Sequence, residues 1–188
     1  VNLTEKLLAT VLSKLSNFIP EGGIWLNTQR PEWNDANNAL VGYGVSMVTL
    51  YYTRRFQQYL VDLFSAVEFD QVEVSAEIYE LLTAIDGTFT DNKHLLSGKI
   101  SDVDRKKVLD SLGLAGEKFR SGIYESAFSG DRVVVKTADL IKFFELSLTF
   151  IDHTIAANRR EDGLYHAYNL MTAREDTVEI TNLYEMLE

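Results

Sequence analysis

Apolar positions recur at intervals of three and four through most of this chain. Leu7, Leu8, Val11, Leu12, Leu15 and Phe18 form the first such stripe, the pattern of a helix with one buried face. Pro20-Glu21-Gly22-Gly23 stops it. From Val45 to Val67 a longer run carries Val48, Tyr51, Tyr52, Phe56, Tyr59, Leu60, Leu63 and Phe64 on one face, with Arg54, Arg55 and Gln58 off it. Further helices are expected from Val72 to Ile85, ending at Asp86-Gly87, and from Ser101 to Phe128. Ser101 followed by Asp104 resembles a capping box, and Gly113 with Gly116 is a possible bend. Between Ala138 and Ala157 the apolar residues leave little polar face, which predicts a central buried helix.

After Asp162-Gly163 the pattern changes. Leu164 to Leu170 is aromatic and partly alternating, and Thr177-Val178-Glu179-Ile180 alternates clearly, so a short extended pair is expected near the C-terminal end. Helices joined by short loops, few strand signals and no repeated block predict a mainly all-α fold of helical hairpins with that one β-hairpin.

Length and composition narrow this only slightly. The 188 residues suit one helical domain, and 46% apolar with 24% charged residues is the balance of a folded chain. The formal net charge of -10 sets up a field that repels phosphate backbones and anionic headgroups, so nucleic acid and membrane surfaces are not expected partners. The absence of cysteine excludes disulfides, thiolate metal sites and a cysteine nucleophile. No apolar stretch approaches the ~20 residues that span a bilayer, and a soluble, cytoplasmic setting is favoured. Val1 at one end, and the apolar pattern Leu183 to Leu187 at the other, suggest a piece of a larger catalytic domain, with the remainder of that chain as a partner.

The candidate chemistry lies in GGIWLNTQRPEWNDANNALVGYG, from Gly22 to Gly44, where both tryptophans sit among an arginine, two carboxylates and several amides without helical period. Aromatic faces cover the C–H patches of a pyranose, and amide, guanidinium and carboxylate groups bond its hydroxyls. Trp25, Arg30, Glu32, Trp33, Asn34, Asn37, Asn38 and Tyr43 are therefore candidate saccharide-binding residues.

Trp33-Asn34-Asp35 resembles the G-D-W-N-D-G-M-N signature of the inverting disaccharide phosphorylases, such as cellobiose and chitobiose phosphorylase. The likeness continues through Val41-Gly42 and Gly44-Val45-Ser46, where that family has V-G and then G-E-S before an apolar helix. Glu32 stands in place of the family Asp, Ala36-Asn37 in place of Gly-Met, and Val45 in place of the Glu of G-E-S. The resemblance implies an (α/α)6 toroid of helical hairpins and a glycosidic bond cleaved with inversion by phosphate or by water. It makes Asp35 the general acid that protonates the leaving oxygen, on an oligosaccharide or disaccharide substrate, with no cofactor.

Other readings of the same residues stay open. Asp35 also suits an Asx turn or helix cap, Trp25 and Trp33 could pack over the end of a helical core, and Arg30 could pair with Glu32. The segment could bind a saccharide without turnover, or dock another protein. His94, His153 and His166 are too scattered for a zinc motif, and no metal is expected. His153 is expected at the edge of the central helix, His166 in a packed aromatic hairpin.

Overall fold

The computed structural model describes residues 2–27 and 35–183, with residues 35–37 described as backbone alone. Six α-helices are present among them. These are α1 (Leu3–Leu15), α2 (Asp35–Leu40), α3 (Met47–Ala66), α4 (Ala76–Asn92), α5 (Asp102–Ser126) and α6 (Thr137–Ala157). The expected stripe of α1 is the one buried: Leu8, Val11, Leu12 and Leu15 are all but inaccessible. Asn2 and Glu5 close its first turn as a reciprocal capping box. Ser46 and Ser101 cap α3 and α5 by accepting the amides of Thr49 and Asp104 at 3.0 and 3.1 Å, which answers two of the amides a helix start leaves unpaired.

The mainly all-α expectation, and the helical-hairpin toroid with it, is overturned by two sheets. Strands β1 (Phe18–Ile19), β2 (Gly23–Trp25), β3 (Gly44–Ser46), β6 (Tyr168–Ala173) and β7 (Val178–Asn182) form a curled antiparallel sheet in the order β1-β2-β3-β6-β7. Strands β4 (Gln71–Ser75) and β5 (Arg132–Lys136) make a separate antiparallel ribbon. The expected C-terminal hairpin is there as β6 and β7, but it is one edge of the larger sheet. Two physical causes hid the rest. Strands of two or three residues are too short to show alternation. In addition, β3 runs directly into α3, β4 into α4 and β5 into α6, so no turn residue marks the change of period. For the same reason Val72 and Val74, expected on a helix, lie in β4, and α4 runs past Gly87 to Asn92.

The main core fills the space between α1, α3, α4, α5 and α6. Its aromatic centre is a chain of rings, Phe18 to Phe89 at 6.0 Å edge-on and Phe89 to Phe150 at 4.7 Å, arrangements worth about 0.5–1.5 kcal/mol each beyond burial. The larger sheet uses both faces. Phe18 and Ile24 point into the main core. The alternate positions Ile19, Val45 and Val178 make a second cluster with Leu109 of α5, flanked by Trp25, Met171 and Ile180. No helix among the described residues is long and apolar enough to cross a membrane.

Candidate functional site

The segment that carries the candidate chemistry is anchored at both ends by backbone pairing. The Leu26 amide donates to the Gly44 carbonyl at 2.9 Å and the Gly42 amide returns to the Leu26 carbonyl at 2.7 Å. Gly44 has no room for a side chain, since a Cβ there would collide with the Leu40 Cβ and lie 2.7 Å from the Leu40 carbonyl oxygen. That close approach seats α2 on the strand that follows it. Arg30, Glu32, Trp33 and Asn34 lie outside the described residues, as do the side chains of Asp35 and Asn37. Asp35 is the first residue of α2, and Asn38 is exposed on that helix. Tyr43 is half-exposed, and its hydroxyl donates to the Ala39 carbonyl at 2.6 Å. That bond holds the end of α2.

Trp25 stands apart from α2. Consecutive strand residues face opposite ways, so Trp25 belongs to the Val45–Leu109 side of the sheet, whereas Leu26 packs with Leu40 of α2 and Leu183 on the other. The indole of Trp25 is half-buried and donates from Nε1 to the Gly42 carbonyl at 3.0 Å. Its backbone amide donates to the Asn17 carbonyl at 2.8 Å. Asn27 donates from Nδ2 to the Asn17 Oδ1 at 2.6 Å, which aligns two amide side chains beside the ring.

Facing them is one side of α5. A cleft of about 670 Å3 runs between the two, lined by Asn17, Trp25, Asn27 and Gly42 on the sheet side, by Met171 and Ala173 of β6, and by Lys106, Leu109, Asp110, Gly113, Leu114, Glu117 and Arg120 of α5. Its volume is in the range of small-molecule sites. Lys106 pairs with Asp110 at 2.5 Å. Gly116 brings α5 against the end of α1, because a Cβ there would come within 2.7 Å of the Ser16 Cβ. The result is an apolar floor of Trp25, Leu109, Leu114 and Met171 with amides and charges around it. Of the sequence candidates whose side chains are described, only Trp25 lies in this cleft. The α5 wall was missed, although its signal is present: positions 106, 110, 113, 117 and 120 alternate spacings of four and three, a single helix face, with glycine in the middle of a charged stripe.

A second polar cluster gathers where β1 meets β2. Glu21 has a left-handed backbone, φ 59°, a conformation that strains any residue but glycine. It is held there by its amide on the Thr154 hydroxyl at 3.0 Å and by the Asn158 side chain on its carbonyl at 2.9 Å. Its carboxylate accepts from Arg105 at 2.7 Å and from the Ile100 amide at 2.9 Å, with His153 at 3.3 Å. Arg105 also donates to the carbonyls of Pro20, Val178 and Ile100 and to Asp102. Those bonds occupy all five guanidinium N–H groups, so the cluster ties α5 to the sheet and leaves Arg105 nothing for a ligand. His153 sits on α6 as expected. His166 is buried beside the Tyr51–Tyr165 ring pair, and burial, then the Arg160 charge, push its imidazole below the usual value against the opposing pull of Asp162. Among the described residues no cluster of three or more His, Asp or Glu is placed to hold a metal ion.

No protein-family model matches the chain, and a search of curated proteins returns no significant match.

Proposed function

We propose that this chain is a carbohydrate-active protein whose saccharide site is the Trp25 cleft. The observation that carries the reading is the pairing of a half-buried indole with two aligned amides, Asn17 and Asn27, opposite the carboxylates Asp110 and Glu117 of α5. A pyranose needs an apolar surface for its C–H face and a ring of donors and acceptors for its hydroxyls, and the cleft offers both. Binding is the first role of this site.

Cleavage is the second, and it rests on Asp35. The order Trp33-Asn34-Asp35 followed by two glycines and an apolar helix supports Asp35 as the acid that protonates a glycosidic oxygen, with inversion by phosphate or by water. Two observations favour binding without turnover. Val45, at the position of the Glu in the resembling signature, is fully buried in the second core cluster. In addition, α2 packs on the face of the sheet opposite Trp25.

Titration of the chain with a panel of disaccharides and longer oligosaccharides, followed by tryptophan emission, tests the binding role. Product analysis on the same mixtures, with and without inorganic phosphate, tests the catalytic one. Saturable quenching that Trp25→Ala abolishes is expected. If products form, Asp35→Asn should lower the rate by about 10²–10⁴-fold, the usual worth of a general acid, with binding unchanged. Quenching without product leaves a binding protein, and no response to any saccharide overturns the proposal.

A further inference from the structure

A second cavity, of about 480 Å3, lies where the turn before β2, the segment before α5, the end of α6 and β7 meet. Its volume is in the range of small-molecule sites, and it shares no lining residue with the Trp25 cleft. Glu21 and His153 meet in its wall. The Glu21 carboxylate is divided between them and Arg105. Oε2 accepts from Arg105 at 2.7 Å, while Oε1 accepts from the Ile100 amide at 2.9 Å and faces His153 Nε2 at 3.3 Å. A carboxylate paired with a guanidinium offers only acceptors, so Nε2 carries the imidazole proton and Nδ1 the lone pair. Nδ1 has no partner among the described residues and is not closed off from solvent. Ala156 and Ala157, three and four residues further along α6, leave the ring 20% exposed, and Gly98 opposite has no side chain to cover it. A carboxylate that fixes one ring nitrogen and presents the other is how proteins orient a histidine towards a ligand. Backbone strain also gathers at ligand sites, and Glu21 carries it here.

Two further groups complete the cavity. Lys99 makes no ion pair among the described residues, and Asn182 of β7 adds an amide. Arg105 is fully occupied, so among the described residues of the lining Lys99 is the cation left for a ligand, a match for a single negative charge. We propose that this cavity is a second binding site, for a small hydroxylated carboxylate whose hydroxyl donates to His153 Nδ1 and whose carboxylate accepts from Lys99 and the Asn182 amide. The site is independent of the saccharide reading, since no residue serves both.

The test is titration of the full chain with lactate and gluconate, followed by proton–nitrogen spectra of the imidazoles. Propionate serves as the acid without the hydroxyl, sorbitol as the polyol without the charge, and inorganic phosphate as the other anion. Without ligand His153 should show the Nε2–H tautomer, and lactate or gluconate should shift its Nδ1 signal saturably. His153→Gln keeps a donor for Glu21 but loses the Nδ1 lone pair. It and Lys99→Met should each weaken binding by about tenfold, the order of one hydrogen bond. Ala157→Phe should block the cavity and leave its polar groups in place. Lys99 and Ala157 are exposed, so thermal unfolding of their variants should match the wild type. An Nδ1–H tautomer, binding unchanged in Lys99→Met, or propionate, sorbitol or phosphate bound as tightly as lactate and gluconate overturns the site, as does no binding of either hydroxy acid.

Discussion

Replacing Arg105 by Met is expected to lower folding stability by about 3–5 kcal/mol, the range for removing one partner from a buried ion pair. The side chain is 3% exposed and Glu21 beside it 9%. Its loss leaves the Glu21 carboxylate with only the Ile100 amide and His153, and it frees the carbonyls of Pro20 and Val178 to which the buried guanidinium donates. Unpaired buried acceptors of this kind cost more than the bonds gained in forming them. Chemical denaturation of the two proteins measures the difference as a shift in midpoint. The double substitution Arg105→Met with Glu21→Met should recover part of the loss, because no lone charge then remains. A single-variant loss below about 1 kcal/mol would mean the cluster is open to water. Because the same guanidinium fixes the start of α5 against β7 and the Pro20 turn, the variant should also loosen the wall of the cleft and weaken saccharide binding.

Glu5 should make the protein sensitive to acid. It is 1% exposed and joins α1 to the β4–β5 ribbon. One carboxylate oxygen accepts from the Ser75 amide at 2.7 Å, from the Ser75 hydroxyl and from Arg132 at 2.8 Å, and the other accepts from the Asn2 amide at 2.9 Å. Burial alone raises the carboxyl, but the bonds from Ser75, Arg132 and the backbone outweigh it and hold the group at about 2, below its ordinary 4.5. A carboxyl lowered on folding stabilises the native state fully above its unfolded value and loses that contribution as pH falls towards the folded one. Between pH 5 and pH 2 the wild type should therefore shed about 3 kcal/mol more than the Glu5→Gln variant, since a tenfold change in proton affinity between the folded and unfolded chains is worth about 1.36 kcal/mol. Stability curves for the two proteins that run parallel over that window would contradict the assignment.

Some of this was legible in the sequence because the physics is local. The stripes of α1, α3 and α6 appear in the chain as written, since a helix with one buried face must repeat its apolar residues at the helical period. Trp25 stands out in the sequence as an aromatic residue in a polar, aperiodic segment, and the structure places it in a cleft, while its contact with a saccharide is part of the proposal. The sheet was not legible, because β1, β2 and β3 are two or three residues long and take their stability from partners distant in sequence, Val45 from Asn169 for example. Asp110 and Glu117 were not singled out in the sequence, and only the packing of Gly116 on Ser16 brings their face of α5 opposite Trp25. Arg105 gave no signal at all, since what matters about it is three carbonyls, one of them 73 residues away.

The proposed function rests on a saccharide lying between Trp25 and α5. Its most direct measurement is the change in the protein's amide and indole resonances as an oligosaccharide is added. The Trp25 indole N–H, the Asn17 and Asn27 side-chain amides and the backbone amides from Leu109 to Arg120 should shift together and saturate at one concentration. A saccharide that binds while those signals stay still, and that moves only resonances elsewhere on the molecule, would contradict it.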